Sequence, residues 1–154
     1  MNYMQNLLDE KFMILAIEEA KIAKANGDWP FGAVVVSDGQ VVGKGGAENN
    51  SIGDVTAHAE MNAIRLACKT LGSNNLQNCT IYCTNEPCLM CAAAIFQAHV
   101  PRLFIGASRD DLSQLLRVRK IRIEDLAQDS GYKIEIVKGV LKDDILKQFE
   151  GIKK

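Results

Sequence analysis

Residues 33–43, AVVVSDGQVVG, set two valine-rich runs on either side of Asp38-Gly39. Branching at Cβ favours extended backbone, and Asp-Gly favours a tight turn because both central positions tolerate positive φ. The stretch predicts an antiparallel hairpin. Before it, Leu8, Phe12, Leu15 and Ile22 recur near helical spacing within residues 7–25, and Asn26-Gly27 ends that amphipathic helix. After it, GGAENNSIGDV at 45–55 is a loop, and Asp54 or Thr56 caps a helix beginning near Ala57 and running to Gly72.

The remaining chain alternates. TIYCT at 80–84 reads as a buried strand, Glu86-Pro87 as a turn, Cys88 to Ala98 as an apolar helix and RLFIG at 102–106 as a strand. A short helix near 109–117, a strand over 132–137 and a closing helix over 141–150 complete the reading. A hairpin followed by alternating strands and helices predicts an α/β fold with a mixed sheet and helices on both faces.

A chain of 154 residues has the size of one domain, and no repeat, linker or low-complexity stretch divides it. With 47 % hydrophobic and 24 % charged residues, its composition is globular rather than disordered or collagenous. No segment approaches the roughly 20 apolar residues of a membrane span, and the first residues lack the basic and apolar regions of a signal peptide. A cytoplasmic protein without membrane partners is expected. The net charge of −1 excludes a global cationic field for nucleic acid. Arg117-Val118-Arg119-Lys120-Ile121-Arg122 is the one local basic stripe. Five cysteines without a secretion signal argue for reduced thiols or metal ligation over a disulfide framework.

TAHAE at 56–60 and EPCLMC at 86–91 carry the chemistry. Cys88 and Cys91, at i and i+3 on the expected helix, project their sulfurs to one side, and the helix dipole favours their thiolates. Two soft thiolates and the imidazole of His58 form a zinc set that leaves a fourth position open for water. Zinc lowers the pKa of such a water toward about 7. Glu60, in the first turn after His58, can then reach that water as a proton shuttle rather than a ligand. Two other readings compete with this one. A thioredoxin-type redox pair leaves His58 and Glu60 idle. A four-ligand structural zinc would draw on Cys68, Cys79, Cys83 or His99, which occupy ordinary apolar or helix-end positions.

The paired motifs resemble those of the zinc-dependent nucleobase and nucleoside deaminases of the cytidine deaminase-like superfamily. Among these, the tRNA adenosine deaminases, bacterial guanine deaminases and fungal cytosine deaminases look most similar, over nearly the whole chain. The resemblance implies a three-layer αβα sandwich around a five-stranded mixed sheet. It also implies one zinc per chain held by His58, Cys88 and Cys91, with Glu60 as general acid and base in hydrolytic removal of an exocyclic amine. A homodimer is implied as well, for which the apolar face of the 88–98 helix is the expected interface.

The substrate is expected to be a free base or nucleoside, guanine first, with cytosine and adenine as further candidates. PFGAVVV at 30–36 and CAAAIFQA at 91–98 look like guanine deaminases, and Phe31 either stacks on a planar base or belongs to the core. These relatives place a base-binding asparagine eleven residues before the zinc histidine, where this chain has Ala47. Asn49 and Asn50 are the candidates to replace it, and Ala57 joins them as a substrate contact. Asp110 and Asp111 are candidate acceptors for a guanine edge, or helix caps. The alternative substrate is the wobble adenosine of a tRNA, supported by the 117–122 stripe, by Lys153-Lys154, and by a C-terminal ILKQFEGIKK that resembles the last helix of the cytosine and tRNA deaminases. A non-enzymatic alternative is an inactive, zinc-stabilised scaffold subunit, in which Glu60 would serve no purpose.

Overall fold

The computed structural model describes residues 2–153. Helix α1 spans Tyr3–Ala25, four residues longer at its start than the periodicity indicates, because the Asn2 side chain accepts the Met4 N–H at 3.1 Å. Strands β1 (Gly32–Ser37) and β2 (Gln40–Gly46) form the predicted hairpin, with Asp38 and Gly39 at φ 48° and 73°. Then come α2 (Ala59–Leu71), β3 (Cys79–Asn85), α3 (Leu89–Gln97), β4 (Arg102–Ala107), α4 (Ile123–Ser130), β5 (Glu135–Lys138) and α5 (Lys142–Lys147).

The five strands lie in the order β2-β1-β3-β4-β5. β1 pairs antiparallel with β2 and β3, while β3–β4 and β4–β5 are parallel. The sheet is therefore mixed, as expected. Side-chain alternation with period two sends Ala33, Val35, Ile81, Cys83, Leu103 and Ile105 to one face, where they pack with α2, α3 and α4. Val34, Val36, Tyr82 and Phe104 go to the other, against α1 and α5. Burial on both faces makes the central strands near-continuous apolar runs.

Two glycines fix how α2 meets the sheet. A Cβ on Gly45 would come 2.6 Å from Asn62 Cβ, and one on Gly43 would come 2.7 Å from the Ala67 backbone nitrogen. β2 and α2 thus meet backbone to backbone.

The segment 109–117 is not the expected helix but a run of turns, with Ser113 bonded to Asp110 and Leu115 to Leu112. The Asp111 carboxylate accepts both the N–H and the hydroxyl of Ser108, at 2.8 and 2.7 Å, which closes a local loop in place of a helical turn. The helix lies farther on, as α4, where Asp125 accepts the Arg122 N–H at 2.9 Å and Gly131 ends it at φ 73°. The last strand begins three residues later than expected, at Glu135, where its N–H reaches the Pro101 carbonyl. No helix among the described residues is long and apolar enough to cross a membrane.

Candidate metal centre and active site

The N-termini of α2 and α3 converge. His58 is the N-cap of α2 in extended backbone, and its side chain makes no capping bond. Its imidazole is therefore free to face α3. Cys88 is the N-cap of α3, and its Sγ accepts the Cys91 N–H at 3.5 Å. Nδ1 of His58 lies 3.5 Å from Cys88 Sγ and 3.6 Å from Cys91 Sγ. A tetrahedral zinc with bonds of about 2.0 Å to nitrogen and 2.3 Å to sulfur holds such atoms about 3.5 Å apart, so this donor set fits zinc. His58, Cys88 and Cys91 are the candidate metal cluster among the described residues; Cys68, Cys79, Cys83 and His99 do not join it.

The electrostatics agree. A hydrogen bond from Cys91 lowers the Cys88 thiol to about 5 against the desolvation of its site, with the Cys91 N–H and His58 adding to the effect. The same bond raises Cys91, which keeps its proton and donates it to Cys88. A metal ion held by these three side chains would take the place of that shared proton. Cys83 is buried and pushed well up by desolvation and by the Glu60 charge, which makes it an inert thiol.

Glu60 is buried in the first turn of α2, and burial raises its carboxyl above the ordinary range. Its own backbone N–H opposes the shift, Cys88 adds to it and His58 opposes it. A carboxyl raised above its ordinary range at such a place can both accept and return a proton.

The other candidates are placed unevenly. Phe31 is half-buried and packs its ring between Trp29, at 6.0 Å, and Phe149, at 5.8 Å, so it lies on the core side of its two readings. Ala47 and Ala57 are buried; the Ala57 carbonyl accepts the Glu48 N–H at 2.9 Å. Asn49 is half-buried and Asn50 exposed, with the Asn50 N–H donating to Asp28 at 2.7 Å. Asp110 pairs with Arg122 at 2.8 Å, and Asp111 is held by Ser108 and lies 3.6 Å from Lys142. Both aspartates are thus committed to their own loop rather than free for a guanine edge.

One residue escaped the sequence reading. Arg109 donates its N–H to buried Glu86 at 3.2 Å and its Nη1 to the Arg117 carbonyl at 3.1 Å, while its buried Nε has no partner among the described residues. Desolvation and Arg119 lower its pKa, whereas Cys88, Glu86 and Glu60 raise it, so its guanidinium stands in the field of the metal centre. The only sequence signal was an arginine at the C-terminal end of a parallel strand, where ligands of α/β sheets collect.

Comparison with known proteins adds the lineage. The model of the cytidine and deoxycytidylate deaminase zinc-binding region matches residues 7–107. A tRNA-specific adenosine deaminase of Agrobacterium fabrum is 48% identical over 96 residues, 62% of this chain and 63% of its own length. One from Buchnera aphidicola is 35% identical over 144 residues, covering 94% of this chain and 93% of the relative. A guanine deaminase of Bacillus subtilis is 44% identical over 85 residues, 55% of this chain and 54% of its own. A solved structure from work on adenosine-to-inosine editing by tRNA wobble-position deaminases superposes with a TM-score of 0.78 at 34% identity, covering 90% of this chain and 98% of that one.

Proposed function

The chain belongs to the cytidine and deoxycytidylate deaminase zinc-binding family, and from that premise we propose that it is a zinc-dependent hydrolytic deaminase converting adenosine to inosine in a tRNA anticodon loop. The observation that carries the chemistry is the 3.5 and 3.6 Å convergence of His58 on Cys88 and Cys91, with buried Glu60 beside it. Zinc, when held by these three side chains, supplies a water that is nucleophilic at neutral pH. Glu60 would take one proton from that water and give it to the ring nitrogen beside the amine-bearing carbon, then take the second proton from the oxygen added to the ring and give it to the departing amine. Water adds its oxygen to the ring and ammonia leaves, so the amine is replaced by a carbonyl.

For the substrate, the tRNA reading replaces the expectation of guanine first. The Buchnera relative and the solved structure that align along nearly the full length of both chains at 34–35% identity are described as tRNA deaminases, whereas the Bacillus subtilis guanine deaminase matches 55% of this chain in sequence and 73% in its solved structure. Deamination of free guanine is the second reading, favoured by the 44% identity to the Bacillus subtilis enzyme.

A cytoplasmic location and a homodimer belong to this reading. Ala92, Ile95 and Phe96 of α3 pack in the core, while Leu89 and Ala93 stay exposed, so an apolar side of the helix is left for the expected interface. Ammonia release should be followed over an anticodon stem-loop with adenosine at the wobble position, free adenosine, and guanine, adenine, cytosine and their nucleosides. Turnover confined to the RNA is expected; guanine turnover without RNA turnover overturns the reading. Sedimentation showing only monomer at micromolar concentration overturns the dimer.

A further inference from the structure

The basic stripe read in the sequence folds back onto the metal-bearing turn. A groove of about 470 Å³ is lined by Leu89 and by Arg117, Val118, Arg119, Lys120 and Ile121. Leu89 immediately follows Cys88, so the groove begins one residue from the metal centre. Its apolar members stay open to solvent: Leu89 is 52 % exposed and Ile121 58 %. Of its cations, Arg122 is neutralised by Asp110, but Arg117, Arg119 and Lys120 make no ion pair among the described residues. Arg109 ties the two regions together. It is anchored to Glu86 in the lead-in to α3 and grips the Arg117 carbonyl, with a buried Nε left free to donate.

We infer that Arg117, Arg119 and Lys120 form a phosphate-binding rim that holds the backbone of nucleotides flanking the target base, with Leu89 and Ile121 as an apolar floor beneath them and Arg109 fixing the rim to the metal centre. The inference rests on the tRNA reading, since a free base carries no phosphate. An RNA loop presents phosphates and unstacked bases together, and unpaired cations interleaved with open apolar side chains complement both. Rim phosphate contacts orient the strand without reading its sequence, which suits an enzyme whose selectivity lies in the pocket. Three cations concentrated here also account for RNA binding by a chain whose net charge is −1.

The test compares two zinc-loaded triple variants on the same anticodon stem-loop. Arg117→Ala/Arg119→Ala/Lys120→Ala removes the rim. Lys11→Ala/Lys21→Ala/Lys69→Ala removes equal charge from exposed positions of α1 and α2. The rim variant should bind the hairpin at least about tenfold more weakly near 0.1 M salt, with a salt slope shallower by about 2, because each single-strand phosphate contact contributes roughly 0.7. The control should match wild type. If the triple change unfolds the loop, Arg117→Ala and Lys120→Ala alone, both at exposed positions, should each give about a third of the slope change. A rim variant that binds and deaminates the hairpin like wild type, or equal losses in rim and control variants, overturns the rim and leaves the adenosine reading standing. A wild-type protein that neither binds nor deaminates the hairpin overturns both.

Discussion

Nδ1 of His58 lies 3.5 Å from Sγ of Cys88, although 30 positions separate the two residues. Each is the N-cap of its helix, so two helix starts supply the donor set and their positive ends face the thiolates. Thiolates gain from such a position, and a donor set on helix starts is held by the packing of the helices behind it.

Glu60→Gln keeps the side chain's shape and removes its titrating proton. Deamination should fall by about 10²- to 10⁴-fold, while elemental analysis still finds zinc and the fold persists. Ammonia release at the wild-type rate would remove the shuttle role. Retained zinc together with lost turnover also separates the enzyme from a zinc-stabilised scaffold.

Zinc loading should release about one proton near pH 6, below the pKa of about 7 of a zinc-bound water. Cys88, lowered to about 5, is already a thiolate there, whereas Cys91 keeps its proton. Calorimetric titration of the metal-free protein in two buffers of different ionisation enthalpy counts that proton. Release of two would show that the thiols titrate separately and that the shared-proton pair is wrong.

Asp28 supports the loop beside the site by accepting the N–H groups of Asn50 and Ser51, at 2.7 and 3.3 Å. Burial pulls its carboxyl upward, but these bonds and that of the Ser51 hydroxyl outweigh it, and the carboxyl sits below its ordinary 3.8. A depressed carboxylate contributes stability above its unfolded value and loses it as pH falls through the lower folded value. Asp28→Asn should therefore melt below wild type at pH 7, and the gap should narrow below about pH 4. A gap that is equal at pH 7 and pH 3 would contradict this.

Gly43→Ala places a methyl against the Ala63 carbonyl and the Ala67 nitrogen of α2. Overpacking of this kind costs about 1–3 kcal/mol, and it displaces the helix that carries His58 and Glu60. Urea unfolding and competition for zinc with a chromophoric chelator should both report a loss. Unchanged values in both would show that strand and helix have slack between them.

The elements readable in the sequence were those whose signal is local. Asp38-Gly39 needs positive φ and has it, and the valines of β1 alternate between two buried faces. The zinc set was readable because few side chains can bind that ion. α4 was missed because its core contacts are few, chiefly Ile123 and Ala127, and its start depends on Asp125 meeting the Arg122 N–H. Arg109 was missed for a different reason: its importance comes from Glu86 and Arg117, which the fold brings beside it.

With no side chain on β2 to part it from α2 at Gly43 and Gly45, any slide of the helix along the strand would drive backbone against backbone. Room for the site to open is then left to the segments around 47–57 and 108–122, which no such glycine contact ties to a helix.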